Sequence, residues 1–226
     1  MTLTMYDQLE QGTPEWREAR RGIVTASTVG KLLTTTGKVA NNETSRGLIE
    51  TLALERITGR VEQMHPSFDM ARGSALEPFA RDVYTERHAP VTEIGFGRLE
   101  MGGCSFGASP DGRVGDPGGL EIKCPKPSTH FRTILEDTVP RIYLPQIHGN
   151  MLVFDADWWD FMSYTPGMSP FVKRVHRDAD WDDLLTDAVQ LAEDGIRGLL
   201  GAYADATAGN PPTDYFDPFE EEEIII

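Results

Sequence analysis

The chain lacks what several protein classes require. Its 226 residues include only two cysteines, Cys104 and Cys124. That number excludes a multi-bridge disulfide framework, a four-cysteine zinc site and a four-cysteine iron–sulfur cluster. No apolar run approaches the roughly 18 residues that a membrane helix needs. The opening MTLTMYDQLEQ has neither the basic nor the apolar region of a secretory signal. The expectation is a cytoplasmic protein with reduced thiols and no membrane partner. Internal repeats are absent too, which argues against a solenoid.

Basic residues are also scarce, at 21 against 36 acids, for a net charge of −15. Taken whole, that balance speaks for simple solubility and against a polyanionic partner. The distribution weakens the argument. Residues 177–226 hold 14 acids and two bases, so the first 176 residues carry a net charge of only −3. A locally basic surface is compatible with that.

Pattern and punctuation divide the chain into elements. A short helix is expected at Pro14–Arg21, with Pro14 in its first turn. Thr25 or Ser27 is an N-cap candidate for a helix ending at Leu33. Helices follow over ETSRGLIETLALERITG, which Gly59 stops, and over about Asp69–His88. After Pro90, VTEIGFGRLE, CSFGASPDGRV and GLEIKCP are short and glycine-punctuated, as in a strand meander. Helices are expected near Phe131–Glu136 and Arg141–Phe154, then strands over WWDFMSYTP and FVKRVHR, then a long amphipathic helix from Asp178. This order gives an α/β fold, a central mixed β-sheet flanked by helices, in one domain over 1–210 with an acidic tail at 211–226.

The chemistry concentrates in GASPDGRVGDPGGLEIKCPKP, residues 107–127. Residues two apart on a strand face one way, so Glu121 and Lys123 share a face and Ile122 takes the other. The connection GRVGDPGG folds the chain back and sets Asp111 beside Glu121. Two carboxylates and an ammonium then converge at a sheet edge. Carboxylate oxygens suit a hard cation such as Mg²⁺. By itself, E-x-K is equally the pattern of an ion pair on a solvent-facing strand. The full pattern S-P-D-G-x(8)-E-I-K-C-P is far more specific.

That pattern resembles the PD-(D/E)xK nuclease core, and more narrowly the YqaJ-like viral recombinase nucleases, the group that contains phage lambda exonuclease. Three further segments resemble the same group in the same order. They are WREARRGIVTAS as W-x-x-x-R-x-G-x-[IV]-T-A-S, RGSALEPFARDVY as a G-x-x-x-E helix, and YLPQIHGNMLV as a Y-x-x-Q helix. Together they span residues 14–154.

The resemblance implies roles. Asp111 and Glu121 would be metal ligands, completed by the backbone carbonyl of Ile122, and Lys123 the catalytic lysine. Glu77 would bind metal or water near a second-ion position; apart from the motif it is a helix acid paired with Arg81. Gln146 would orient the attacking water or Lys123, supported by Tyr143. Arg20 and Ser27 would form a pocket for a DNA 5′-phosphate, a role in keeping with a helix N-terminus plus guanidinium and hydroxyl donors. The group often has an arginine shortly after the lysine's CP; here KPSTHFR leaves Arg132 or Lys126 for phosphate guidance. His130 and His148 are too widely spaced for a zinc site. Cys124 reads as a small packed residue, and of Trp158 and Trp159 at least one belongs to the core.

The implied activity is Mg²⁺-dependent 5′→3′ exonuclease action on linear double-stranded DNA, with one or two ions and Mn²⁺ as a substitute. A ring-shaped trimer and a phage single-strand annealing protein as partner are implied as well, inside the host cell's cytoplasm. The alternatives are an endonuclease on the same core and a catalytically inactive DNA-end-binding module.

Overall fold

Cap chemistry sets the helix boundaries in the computed structural model, which describes residues 1–61 and 67–216. In α1 (Pro14–Arg20), Pro14 occupies the first turn and Thr13 Oγ1 accepts the Trp16 N–H at 3.3 Å. An Asn42–Ser45 capping box opens α2 (Glu43–Thr58), and Gly59, at φ 69°, closes it. Ser67 caps α3 (Phe68–Arg87). Prolines begin α4 (Pro127–Glu136) and α5 (Leu144–Phe154), where a missing N–H costs nothing. Asp178 caps α6 (Ala179–Ala206).

Two helix expectations change. The segment from Thr25 to Leu33 is not an α-helix. Val24 and Thr25 form a two-residue strand paired with Phe106 and Gly107, followed by a single 3₁₀ turn at Val29–Leu32. Its Thr and Ser hydroxyls bond to one another and to the Thr25 backbone, and no side chain caps the turn. The helix expected from Arg141 is a 3₁₀ turn at Arg141–Tyr143 that leads into α5.

The strands form two mixed sheets of four rather than a single one. The first holds β1 (Thr2–Tyr6), β2 (Val24–Thr25), β3 (Phe96–Met101) and β4 (Cys104–Ala108) in the order β1-β3-β4-β2. The second holds β5 (Gly112–Val114), β6 (Gly118–Lys123), β7 (Trp158–Ser163) and β8 (Phe171–His176) in sequence order. The break falls at Ser109-Pro110-Asp111, where proline has no N–H to give a ladder. Strands β6 and β7 are parallel and joined through α4 and α5, with Glu121 opposite Phe161 and Lys123 opposite Ser163.

Alternation then sorts the faces of the second sheet. Leu120, Ile122 and Met162 pack with Ala80 and Tyr84 of α3. The other face carries Trp159 and Phe161 into the main core, with Ile147 and Met151 of α5 and Leu185 and Ile196 of α6. Gly118 and Gly119 lie directly under the Trp158 and Trp159 rings, where a Cβ would collide. Glu121 therefore points into the main core, toward α5. No helix among the described residues is long and apolar enough to cross a membrane. Of the acidic tail at 211–226, residues 217–226 lie outside the described part.

Candidate active site

The antiparallel ladder between β5 and β6 ends at Gly112 and Leu120. Two residues further along β6, the Ile122 N–H has no strand partner on that side. Asp111, just before β5, takes it: Ile122 N donates to Asp111 Oδ2 at 2.5 Å. The fold-back read from GRVGDPGG is therefore real, and it is locked by the acid itself. In a strand the N–H and C=O of one residue point to the same side. The Ile122 carbonyl consequently faces the Asp111 side as well.

Glu121 is fully buried and both its oxygens are engaged. Lys123 Nζ donates to Oε1, and Asn150 Nδ2 donates to Oε2 at 3.0 Å. The Lys123 side chain, unlike that of Glu121, is partly exposed, at 28%. The cluster thus opens on the Lys123 side and is sealed behind Glu121.

The electrostatics are those of crowded acids. Burial, then the Glu121 charge, pushes Asp111 up to about 7, against the pull of Lys123, the Ile122 N–H and Arg81. Burial, then Asp111, pushes Glu77 up to about 7 as well. Burial alone would lower Lys123, but the charges of Glu121 and Asp111 override it and hold the ammonium above its ordinary range. Two carboxylates share one resident cation, and the environment favours a second positive charge.

Helix α3 flanks this cluster. Arg81 Nε donates to the Asp111 carbonyl at 2.9 Å, its NH2 donates to Glu77 Oε1 at 2.6 Å, and its NH1 pairs with Glu93 at 2.9 Å. Glu77 is thus beside the acid pair and tied to Arg81. Helix α5 supplies the opposite wall. Tyr143, just ahead of it, stacks on Phe161 with ring centroids 5.3 Å apart and lies 5.5 Å from Lys123 Nζ. Gln146 is half-buried one turn before Asn150, on the same stripe of α5.

Arg20 and Ser27 are brought together as expected. Arg20 NH2 donates to Ser27 Oγ at 3.1 Å and to Thr25 Oγ1 at 3.3 Å. The guanidinium lies 3.8 Å from the Trp16 ring centroid. Burial lowers Arg20 to about 10, with Glu55 opposing. The donors here are a guanidinium and hydroxyls; no α-helix N-terminus contributes, because the segment after Ser27 is only a 3₁₀ turn. Trp16 Nε1 also donates to Ser109 Oγ at 2.8 Å, two residues ahead of Asp111.

Several candidates lie elsewhere. Lys126 pairs with Asp69 at 2.8 Å on the surface, and Arg132 Nε donates to the Ser128 carbonyl one turn back. His130 is fully buried, bonded to Ser163 Oγ at 2.7 Å and the Ser169 carbonyl at 3.0 Å, so it anchors α4 and cannot reach a phosphate. His148 stacks on Trp181 in the core, 4.6 Å between centroids, far from a ligand arrangement. Trp159 is core, and the Trp158 ring is covered by Arg174 at 3.4 Å. Burial and the Glu77 charge push the Cys124 thiol up to about 11, so it stays protonated.

Sequence reasoning missed Asn150, the Trp16–Ser109 bond and the second role of Arg81. A signal for Asn150 existed: it is a carboxamide four residues after Gln146, inside the apolar run of α5.

The donor set is all oxygen: two carboxylates and a strand carbonyl. Among the described residues no three His, Cys, Asp or Glu side chains converge as a metal cage. Such a set suits a hard cation that keeps several waters, and it is a poor match for zinc. Asp111 Oδ1 has no hydrogen-bond partner among the described residues, which leaves an acid oxygen free for a cation. The residues present fit Mg²⁺.

The chain is also similar to known proteins. The model of the YqaJ-like viral recombinase domain matches residues 15–157. The chain is similar to the solved structure of LHK-Exo in complex with dAMP: 32% identity, a TM-score of 0.76, and coverage of 87% of this chain and 98% of that one. A second structure, of the alkaline exonuclease LHK-Exo from Laribacter hongkongensis, matches at 32% identity with a TM-score of 0.71, over 86% of this chain and all of that one. A phage-related exonuclease from Haemophilus somnus 129PT shares the fold at 15% identity and a TM-score of 0.63, over 80% of this chain and 96% of that one. No curated protein matches the chain.

Proposed function

The chain belongs to the YqaJ-like viral recombinase domain family, and on that premise we propose that it is a Mg²⁺-dependent exonuclease. It digests one strand of linear double-stranded DNA from a 5′-phosphorylated end, in the 5′→3′ direction, and leaves a 3′ single strand. The observation that carries this reading is the Asp111–Glu121–Lys123 cluster, closed by the Ile122 N–H on Asp111. The similar alkaline exonuclease and its dAMP complex support an exonuclease that handles nucleotides.

Asp111, Glu121 and the Ile122 carbonyl would hold the cation, and Glu77, beside Asp111, would bind a second ion or a water. When bound, Mg²⁺ (one or two ions, with Mn²⁺ as a substitute) supplies a water of lowered pKa and a polarised phosphodiester. Lys123, kept protonated by its two acids, orients the attacking water and offsets the charge that grows on the phosphate. The Gln146 amide, one turn before Asn150 on α5, orients the same water. Tyr143 supports the lysine stem.

Arg20 and Ser27, with Thr25, receive the terminal 5′-phosphate. The Trp16 stack holds the guanidinium plane, so its fork is presented and not free to wander. Arg132 or Lys126, both on the surface around the start of α4, guides the DNA backbone. The 3′ strand is handed to a phage single-strand annealing protein, and the enzyme works as a ring-shaped trimer in the cytoplasm of the host cell.

The test compares linear duplexes carrying 5′-phosphate or 5′-hydroxyl with covalently closed plasmid, with and without Mg²⁺, using wild type and Lys123→Ala. Mg²⁺-dependent loss of the phosphorylated linear duplex, sparing of plasmid, and an inert variant are expected. Plasmid degradation would replace the reading with an endonuclease. Failure to degrade any DNA would leave an end-binding module.

A further inference from the structure

Asn150 is the one carboxamide placed deep in α5, between the buried Ile147 and Met151. It is 1% exposed. Its Nδ2 donates to Glu121 Oε2 at 3.0 Å, while its own Oδ1 is buried with no partner. The assignment of the amide follows from charge: the flipped form would set oxygen against carboxylate. A buried acceptor without a partner weakens a core, so this residue is poorly chosen for packing alone.

Its effect on Glu121 is specific. Lys123 takes Oε1 and Asn150 takes Oε2, so the carboxylate plane is fixed at two points. Oε1 is thereby kept on the Lys123 side, where Asp111 and the open mouth lie. Without Asn150, Oε2 would be a buried and unbonded carboxylate oxygen, and the side chain would be free to rotate about its last torsion.

We propose that Asn150 is a positioning residue that sets the orientation of Glu121 and so the affinity of the acid pair for a divalent cation. The inference rests on the nuclease reading, since it assumes that Glu121 is a ligand. Partners that orient ligands typically change metal affinity by 10–100-fold when removed.

The experiment uses the full chain without DNA and Mn²⁺ as probe, following free Mn²⁺ by electron paramagnetic resonance at pH 8. Wild type, Asn150→Leu, Asn150→Ala and Glu121→Ala are compared, with thermal unfolding of each. Asn150→Leu is expected to raise the Mn²⁺ dissociation constant about tenfold and to lower the melting temperature of the metal-free protein modestly, since the buried Glu121 Oε2 loses its one donor. The Mg²⁺ concentration for half-maximal nuclease rate should rise in parallel, with the rate recovering at saturating Mg²⁺. Wild-type Mn²⁺ affinity in Asn150→Leu overturns the inference; if that variant does not fold, the same result in Asn150→Ala does. A nuclease rate that stays low at saturating Mg²⁺ with unchanged Mn²⁺ affinity also overturns it. No Mn²⁺ binding by wild type, or unchanged binding in Glu121→Ala, instead sinks the metal reading, and the inference falls with it.

Discussion

Trp16 and Ser109 join two parts of the molecule that the sequence keeps 93 residues apart. The indole N–H donates to Ser109 Oγ at 2.8 Å, and the face of the same ring lies 3.8 Å from the Arg20 guanidinium. Ser109 begins the Ser-Pro-Asp turn that places Asp111. One side chain thus fixes the spacing between the guanidinium pocket and the carboxylate pair.

Trp16→Phe keeps a ring under Arg20 and removes only the bond to Ser109. The expected stability loss is about 1 kcal/mol, that of one neutral hydrogen bond. The activity loss on 5′-phosphorylated duplex should be larger than this suggests, about tenfold, because misplacing bound phosphate relative to the acids degrades a near-attack geometry. Steady-state rates alongside thermal unfolding check the pair of values. A variant with full activity and normal melting would mean that the spacing is set elsewhere.

Lys123 is the one ammonium shared by the two buried acids Asp111 and Glu121. Lys123→Met should lower activity by about 10²–10³-fold, the scale for losing one preorganised charge stabiliser. It should also destabilise the metal-free protein by about 1–3 kcal/mol, since Glu121 loses a charged partner in the core. Added Mn²⁺ should recover most of that stability and little of the rate. Unfolding curves with and without Mn²⁺ separate the two roles, and full recovery of rate would remove Lys123 from the chemistry.

The pH dependence has a definite sign. Asp111 and Glu77 are pushed up to about 7 without metal, whereas carboxylates in an unfolded chain titrate near ~4. The folded protein therefore retains protons that the unfolded chain releases between those values. The stability these groups contribute is complete below about pH 4 and is lost as pH rises through about 7. Cation binding needs the same protons gone, so Mg²⁺ affinity should climb across pH 6–8. Asp111→Asn should melt higher than wild type at pH 8 without metal, gain nothing from Mg²⁺ and be inactive. Scanning unfolding over pH 5–9 with and without Mg²⁺ tests this; a variant that melts below wild type at pH 8 contradicts it.

Local signals carried the α/β fold class and the contact between Asp111 and β6, because period-two alternation and a glycine-rich turn act over a few residues. The split into two sheets was less visible: it follows from Pro110, whose missing N–H matters only once β4 and β5 are placed. The helix expected after Ser27 failed because β-branched Val24 and Thr25 find a partner in β4, a long-range pairing that propensity does not register. Asn150 and the Trp16–Ser109 bond also depend on distant partners. Their residue types were plain in the sequence, and their meaning came from what the fold set opposite them.

Arg20 offers the sharpest separation of binding from chemistry. Its guanidinium is half-buried against Trp16, bonded to Ser27 and Thr25, and makes no bond to Asp111, Glu121 or Lys123. A charge-assisted bond to a terminal phosphate contributes about 1.5–3 kcal/mol, so Arg20→Ala should cut the rate on 5′-phosphorylated ends about 10–100-fold. Ends bearing 5′-hydroxyl offer no such anion and should lose little. The variant is thus expected to digest both ends at nearly equal, low rates while binding Mn²⁺ like wild type. Arg20→Lys should recover only part of the preference, since an ammonium neither stacks on Trp16 nor presents two parallel donors. Competition between the two duplexes in one reaction measures the ratio directly. If Arg20→Ala slows both ends equally and Mn²⁺ binding is intact, Arg20 serves the fold around Trp16 and the phosphate pocket must be sought elsewhere.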